Sequence, residues 1–258
     1  MQHPSPNLVL LGSDTPTTWI IYNRLVQEFG PFPALVEQRI SRRKLLANRL
    51  RKLGLRTTLA QVAFAQVIRP FLNAMAKPRV TRICRREGLE RVRPISADIM
   101  EIDSANGAFC EQFLRNAQAG IIIVNGTRIL RPHILKATPA VFINTHQGIT
   151  PQYRGAHGAY WALLQGDPEH CGVTVHLVDD GIDTGNIIAQ SRIATQSDDC
   201  FMSYPYLQTA AAMPLLLTAI RDIMKGTLHT KAIEGASRVW YHPGFFTYLL
   251  GMLRRGVR

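Results

Sequence analysis

Residues 143–155 read INTHQGITPQYRG, and residues 172–190 read GVTVHLVDDGIDTGNIIAQ. In each, a short apolar run rich in β-branched residues stops abruptly at polar ones. The pattern predicts two buried strands with the polar residues at their ends. Asn144 and His146 stand two apart, so on a strand their side chains share one face. An Asn amide can hold negative charge developing on a carbonyl oxygen, and a His can move a proton near neutral pH. Alone, the pair is also compatible with a turn Asn and a surface His. Asp179, Asp180 and Asp183 follow the second strand, with Gly181 and Gly185 among them. Glycine permits the tight loop that lets backbone groups approach a ligand. A carboxylate there can orient water or stabilise a neighbouring imidazolium. The acidic spacing fits no EF-hand, so no metal is expected.

Working outward, the same rhythm recurs. NLVLLGSD (residues 7–14) reads as a strand entering a turn, and TWIIYNRLVQEFG as a helix ending at Gly30. ISADIMEID, GIIIVNG and VFINTH read as strands, with the helix NGAFCEQFLRNAQ between the first two. GAYWALLQG is a helix, NIIAQSRIA a last strand, and the segment running to Gly226 a long amphipathic helix. Strands alternating with helices predict an α/β, Rossmann-like three-layer domain with a mainly parallel central sheet. In such sheets ligands bind at the carboxyl ends of the strands. The domain is expected over residues 1–226, with a short C-terminal extension over 227–258.

A basic block interrupts this rhythm over residues 39–94, and no Asp or Glu lies between Glu37 and Glu87. Leu46, Leu50 and Leu53 fall on one helical face, and the next helix is apolar nearly all round, which predicts that it is packed. The block is expected to be a helical insertion carrying much of the net charge of +12. That charge points to an anionic partner: a phosphorylated substrate, an RNA or an acidic membrane surface. Hydrophobic residues make up 46% of the 258, enough for a large core. Cys84, Cys110, Cys171 and Cys200 are scattered, with no metal or disulfide spacing. The first residues, MQHPSP, lack the basic region of a signal peptide, and no apolar run reaches membrane-spanning length. A cytoplasmic location is expected.

Together the two opening stretches resemble the formyltransferase superfamily that uses 10-formyltetrahydrofolate. Its pattern is N-x-H-x-S-x-L-P-x-Y-R-G, followed by a stretch ending in D-x-G-x-I-x-x-Q. The resemblance is close over about residues 120–190 and looser over residues 7–226. It implies that Asn144, His146 and Asp183 are catalytic, with Asn144 and protonated His146 donating to an oxyanion while Asp183 keeps the His charged and relays the amine proton. It implies that Arg128, Ile129 and Leu130 of NGTRILRP hold the folate, opposite Val178, Asp179, Asp180 and Gly181. Gly148, Tyr153 and Arg154 would border the amine acceptor. His176 would support the site, Trp161 would be core, and Arg131 and His157 are weaker candidates. The family's Ser is Gly148 here and its Leu before Pro is Thr150, next to the acceptor.

The resemblance leaves three acceptors. An amino sugar linked to a nucleotide suits the cations and is favoured; the alternatives are methionyl-tRNA and glycinamide ribonucleotide. The methionyl-tRNA member carries a further C-terminal domain, for which little chain follows Gly226, so nucleic acid is not the expected partner. A binding module retaining the fold is the non-enzyme alternative, against which the intact trio argues. The partners expected are a small, phosphorylated amine and, for the basic block, a solvated face, a homodimer contact or an anionic membrane surface. GFFTYLLGMLRRGVR near the end fits either packing on the domain or an interface.

Overall fold

The structure is a computed structural model and describes residues 7–258, so the reading of the first six residues lies outside it. Its centre is a seven-stranded sheet in the order β3-β2-β1-β4-β5-β7-β8. The first five positions are β3 (Ile99–Ile102), β2 (Ala34–Glu37), β1 (Leu8–Ser13), β4 (Ile121–Asn125) and β5 (Val141–His146), all parallel. β7 (Gly172–Leu177) runs antiparallel to β5, and β8 (Ile187–Arg192) antiparallel to β7. This is the expected Rossmann-like α/β sheet, mainly parallel and covered on both faces. One strand was not read from the sequence. β2 has only four residues and sits between Pro33 and the basic block, too short for a periodic signal.

Alternation along the strands sends side chains to two cores. Leu8, Leu10, Ile121, Ile123, Ile143 and Val175 face helices α1 (Pro16–Phe29) and α7 (Tyr204–Lys225). Val9, Leu11, Leu35, Ile122 and Val124 face α4 (Ala108–Asn116) and the single turn α5 (Pro132–Leu135). Each such Leu or Ile contributes about 1.5–3 kcal/mol by leaving water. The Thr15 side chain caps α1 by accepting from the Thr18 amide.

The basic residues form α2 (Arg42–Ala63), a π turn over Phe64–Ile68 and α3 (Arg69–Glu87), which stops at left-handed Gly88. Gly54, with φ 77°, breaks α2 in the middle. The passage was expected to be packed, and it is, on one side. Thr58, Gln61, Phe64 and Leu72 are buried, whereas Leu59, Val67, Phe71 and Met75 are each more than half exposed. No other element of the described chain covers that outer side. The inner side is fixed by Arg79, whose guanidinium makes two 2.8 Å bonds to buried Asp199.

Residues 227–258 return to the domain. β9 (Val239–Trp240) pairs parallel with β6 (Arg154–Gly155), and α8 (Phe245–Arg255) buries Tyr248 against Phe64 and Tyr160. Tyr160 lies on α6 (Gly158–Gln165). A third core, rich in aromatic residues, therefore joins the π turn, α3, α6 and α8.

Candidate active site

The strand order reverses between β1 and β4, and a cleft of about 580 Å³ opens beyond the carboxyl ends there. Its floor is β5. Register pairs Asn144 with His176 of β7 and His146 with Thr174, so the antiparallel edge delivers a second imidazole beside the first two polar groups. Asp183 arrives from the following loop in the left-handed region, φ 51°, which Asp tolerates better than most residues. Gly185 makes that return possible, because a Cβ there would collide with the Leu177 carbonyl.

The ring nitrogens can be assigned from their partners. His176 Nδ1–H donates to the Leu177 carbonyl at 2.6 Å, leaving Nε2 to accept from Asn144 Nδ2 at 3.1 Å. That contact fixes the Asn amide and leaves its second hydrogen free. His146 Nε2–H donates to the Tyr153 carbonyl at 2.7 Å. Nδ1 is then the ring atom that can exchange a proton, and it stands 3.3 Å from Asp183 Oδ2. The other Asp183 oxygen is 3.6 Å from His176 Nε2, and the Gly155 amide donates to Oδ2 at 2.9 Å. Burial alone would raise the Asp183 carboxyl, but the His146 and His176 rings and the Gly155 amide outweigh it and hold the group at about 2. Burial pushes His146 below its ordinary value, with Asp183 opposing. Burial thus works towards a neutral ring, whereas the ionised carboxylate beside Nδ1 and the carbonyl beside Nε2 work towards a charged one.

One wall of the cleft is the turn after β4. Arg128, Ile129 and Leu130 all line it. Arg128 does not reach inward; its guanidinium donates to the Gln38 and Asp103 carbonyls at 3.1 Å, and its backbone amide to Glu37. Val178, Asp179 and Gly181 line the opposite wall. Asp179 is tied up within its own loop by the Gly181 amide and the Thr184 hydroxyl. Asp180 does not join them; it points into solvent.

The three residues expected beside the acceptor lie behind the site. Gly148 is packed against His146 and α6, where a side chain would collide with the Tyr153 carbonyl and stand 2.7 Å from His146 Nε2. The Tyr153 ring is buried, stacks on Trp240 and bonds Asp167 through its hydroxyl; only its carbonyl serves the site. Arg154 donates to the Ile182 carbonyl at 3.1 Å and so pins the loop that carries Asp183. Trp161 stacks on Trp240 and donates to the Tyr241 carbonyl, an edge position rather than a fully buried one.

Sequence reading missed three contributors. Glu37 ends β2 and, buried, accepts from the Ala105 and Arg128 amides, bracing the wall turn. Asn125 bridges Thr18 and Thr145 at 3.0 Å each, locking β4 to β5 and α1. His242, from the C-terminal residues, meets His157 at 2.8 Å, and both line the cleft. The only prior signal for Glu37 was an acid closing an apolar run; for His242 there was none.

A family model described as Formyl transferase matches residues 76–205, just over half of the chain. A methionyl-tRNA formyltransferase of Desulfotalea psychrophila is 32% identical over 166 residues, covering 63% of this chain and 48% of that protein. A GDP-perosamine N-formyltransferase of Brucella melitensis is 32% identical over 124 residues, covering 48% of each. The chain thus spans about half the length of these curated relatives. A sugar N-formyltransferase structure from Shewanella superposes with a TM-score of 0.58 over 96% of this chain and 87% of that one. At 14% identity that likeness speaks for the fold alone.

Proposed function

Because this chain belongs to the formyl transferase family, we propose that it moves a formyl group from 10-formyltetrahydrofolate to a primary amine on a sugar linked to a nucleotide. The observation that carries this reading is the convergence of Asn144, His146 and Asp183, with one amide hydrogen left unclaimed and one ring nitrogen facing the Asp183 carboxylate.

The cleft fits the donor. Its volume lies in the range of ligand sites, and the apolar side chains of Leu130 and Val178 on facing walls suit a flat ring. Arg128, Ile129 and Leu130 would hold it from one side, and Val178, Asp179 and Gly181 from the other. When bound, the folate supplies a formyl carbonyl open to attack by the amine. Asn144, already oriented by His176, would donate its free hydrogen to the negative charge developing on the carbonyl oxygen. His146 Nδ1 would take the amine proton, with ionised Asp183 stabilising the cation so formed, and would return it to the folate nitrogen that leaves as its bond to the formyl carbon breaks. The amine is itself the nucleophile, so no side chain needs to be one.

The +12 charge supports an acceptor carrying phosphate, and one of the relatives is named for a nucleotide-linked amino sugar. A second reading, methionyl-tRNA, is favoured by the relatives of that name. An acceptor panel with 10-formyltetrahydrofolate separates them: nucleotide-linked amino sugars, methionyl-tRNA and glycinamide ribonucleotide, each scored by formylated product. Turnover of the sugars above the other two is expected. Preference for the tRNA would move the reading to the second acceptor, and no formyl transfer to any amine would overturn it.

A further inference from the structure

We propose that the outer side of α2, the π turn, α3 and α8 is a docking surface for an anionic membrane. Leu55, Leu59, Val67, Phe71 and Met75 recur at spacings of four or eight residues along the helical path, and each is 51–64% exposed. A π turn lies between Leu59 and Phe71. Its wider pitch offsets part of the drift that a four-residue repeat accumulates on an α-helix, so the row stays on one side. On α8 the same division is sharper. Tyr248 and Gly251 are buried, while Phe246, Leu250 and Leu253 are 70%, 47% and 76% exposed at i, i+4 and i+7. Phe64, Leu72 and Tyr248 anchor both helical segments in the same aromatic core, so their opposite sides both face outward.

Charge identifies the occupant. Fourteen Lys and Arg and no acid lie between residues 38 and 86, and no acid follows Glu234. Both segments that expose apolar rows are therefore basic and free of carboxylates of their own. Clustered exposed apolar residues mark a contact surface. An RNA would engage the guanidiniums and leave the leucines and phenylalanines in water. A second copy of the chain would cover the apolar rows but bring the remaining unpaired cations of one copy against those of the other. A bilayer surface meets both demands, with headgroup phosphates for the cations and the acyl boundary for the side chains. No described helix is long and apolar enough to cross a membrane, so the helices would lie in the interface. The surface adjoins the cleft: Gln61 of α2 donates to the His242 carbonyl at 2.7 Å, and His242 lines the cleft. A docked molecule would hold its cleft mouth close to the lipid.

The test is cosedimentation of the full chain with vesicles of phosphatidylcholine alone or mixed with phosphatidylglycerol. Binding to the mixed vesicles, weakening with added salt, is expected. Phe71→Glu combined with Leu253→Glu should lower the partition about tenfold or more without changing the circular dichroism spectrum. Arg51→Gln should lower it about fivefold. Asn144→Ala should bind vesicles as the parent does, so a failure of the catalytic reading leaves this one testable. Absence of binding to anionic vesicles at low salt would overturn the proposal. So would a solution dimer that Phe71→Glu dissociates, or RNA binding without vesicle binding.

Discussion

Around β5 and β7 the molecule buries its polar groups and pairs nearly all of them; on α2, α3 and α8 it exposes apolar ones and leaves most cations without a carboxylate. The first region spends hydrogen bonds to hold a few atoms still. Asn144 is fixed by His176, His146 by Tyr153, and Asp183 by Gly155, so what remains free is small and directed. The second region is held from one side only and presents a broad, repetitive face. A site for chemistry needs the former arrangement, because preorganised donors stabilise developing charge without rearranging. A site for adhesion needs the latter. Where the regions meet, the rule of the first prevails: Arg79 and Asp199 are buried and bonded twice.

That junction should show the largest effect. Arg79→Ala leaves Asp199 buried and uncompensated, which costs about 3–5 kcal/mol in denaturant unfolding. Replacing both, as Arg79→Met with Asp199→Leu, should recover most of the loss, because the penalty belongs to the stranded charge. If the single variant unfolds like the parent, the basic helices are not anchored where the bonds suggest.

Next comes the catalytic floor. Asn144→Ala should reduce kcat by about a hundred- to a thousandfold, roughly 3–4 kcal/mol, while leaving unfolding nearly unchanged. The pH profile sharpens this. With His146 lowered by burial, kcat/KM should fall only as the pH drops through a value below 6.5, where Nδ1 gains its proton. Asp183 raises that value, so Asp183→Asn should move the acid limb lower still while cutting the rate; the acceptor amine's own titration would not move. Asp183 also links to stability. Its folded carboxyl titrates at about 2, below the ordinary 3.8. The ion therefore stabilises the fold fully above the ordinary value and loses that contribution as pH falls towards 2.

A smaller effect tests the departure from the family pattern. Gly148→Ser restores the usual residue, yet here its Cβ meets the Tyr153 carbonyl and the His146 ring, and Gly158 packs from the other side. Overpacking of this kind costs about 1–3 kcal/mol, and the His146–Tyr153 bond should yield first. A variant with parental stability and a parental acid limb would show that the loop can rearrange.

The contrast between the regions also explains what the sequence made legible. Asn144 and His146 stood out because strand periodicity alone puts them on one face, and Asp183 because glycines surround it. The sheet followed from repeated apolar runs. β2 escaped because four residues carry no period, and with it went Glu37, whose brace depends on a turn 91 residues away. Tyr153, Arg154 and Gly148 were near the site in sequence but behind it in space, since β6 turns away to pair with β9. His242 depends on a long-range return of the chain. On the basic helices the apolar sequence was read as packed, which holds on one side; which side stays open depends on Gly54, the π turn and the return of α8, and none of these is written in a local period.

The smallest predicted effect therefore bears most directly on that second region. Leu59→Gln replaces a residue that is 59% exposed on α2, and both side chains are good helix formers. In dilute solution without lipid its unfolding free energy should change by less than about 0.5 kcal/mol. A loss of several kcal/mol, as expected for a buried leucine, would mean that the outer side is covered in the free protein by another copy or another segment. The comparison between the regions would then collapse, because both would be closed surfaces. A neutral result leaves the row of apolar residues facing water at no stability benefit to the fold, and so in need of a partner outside it.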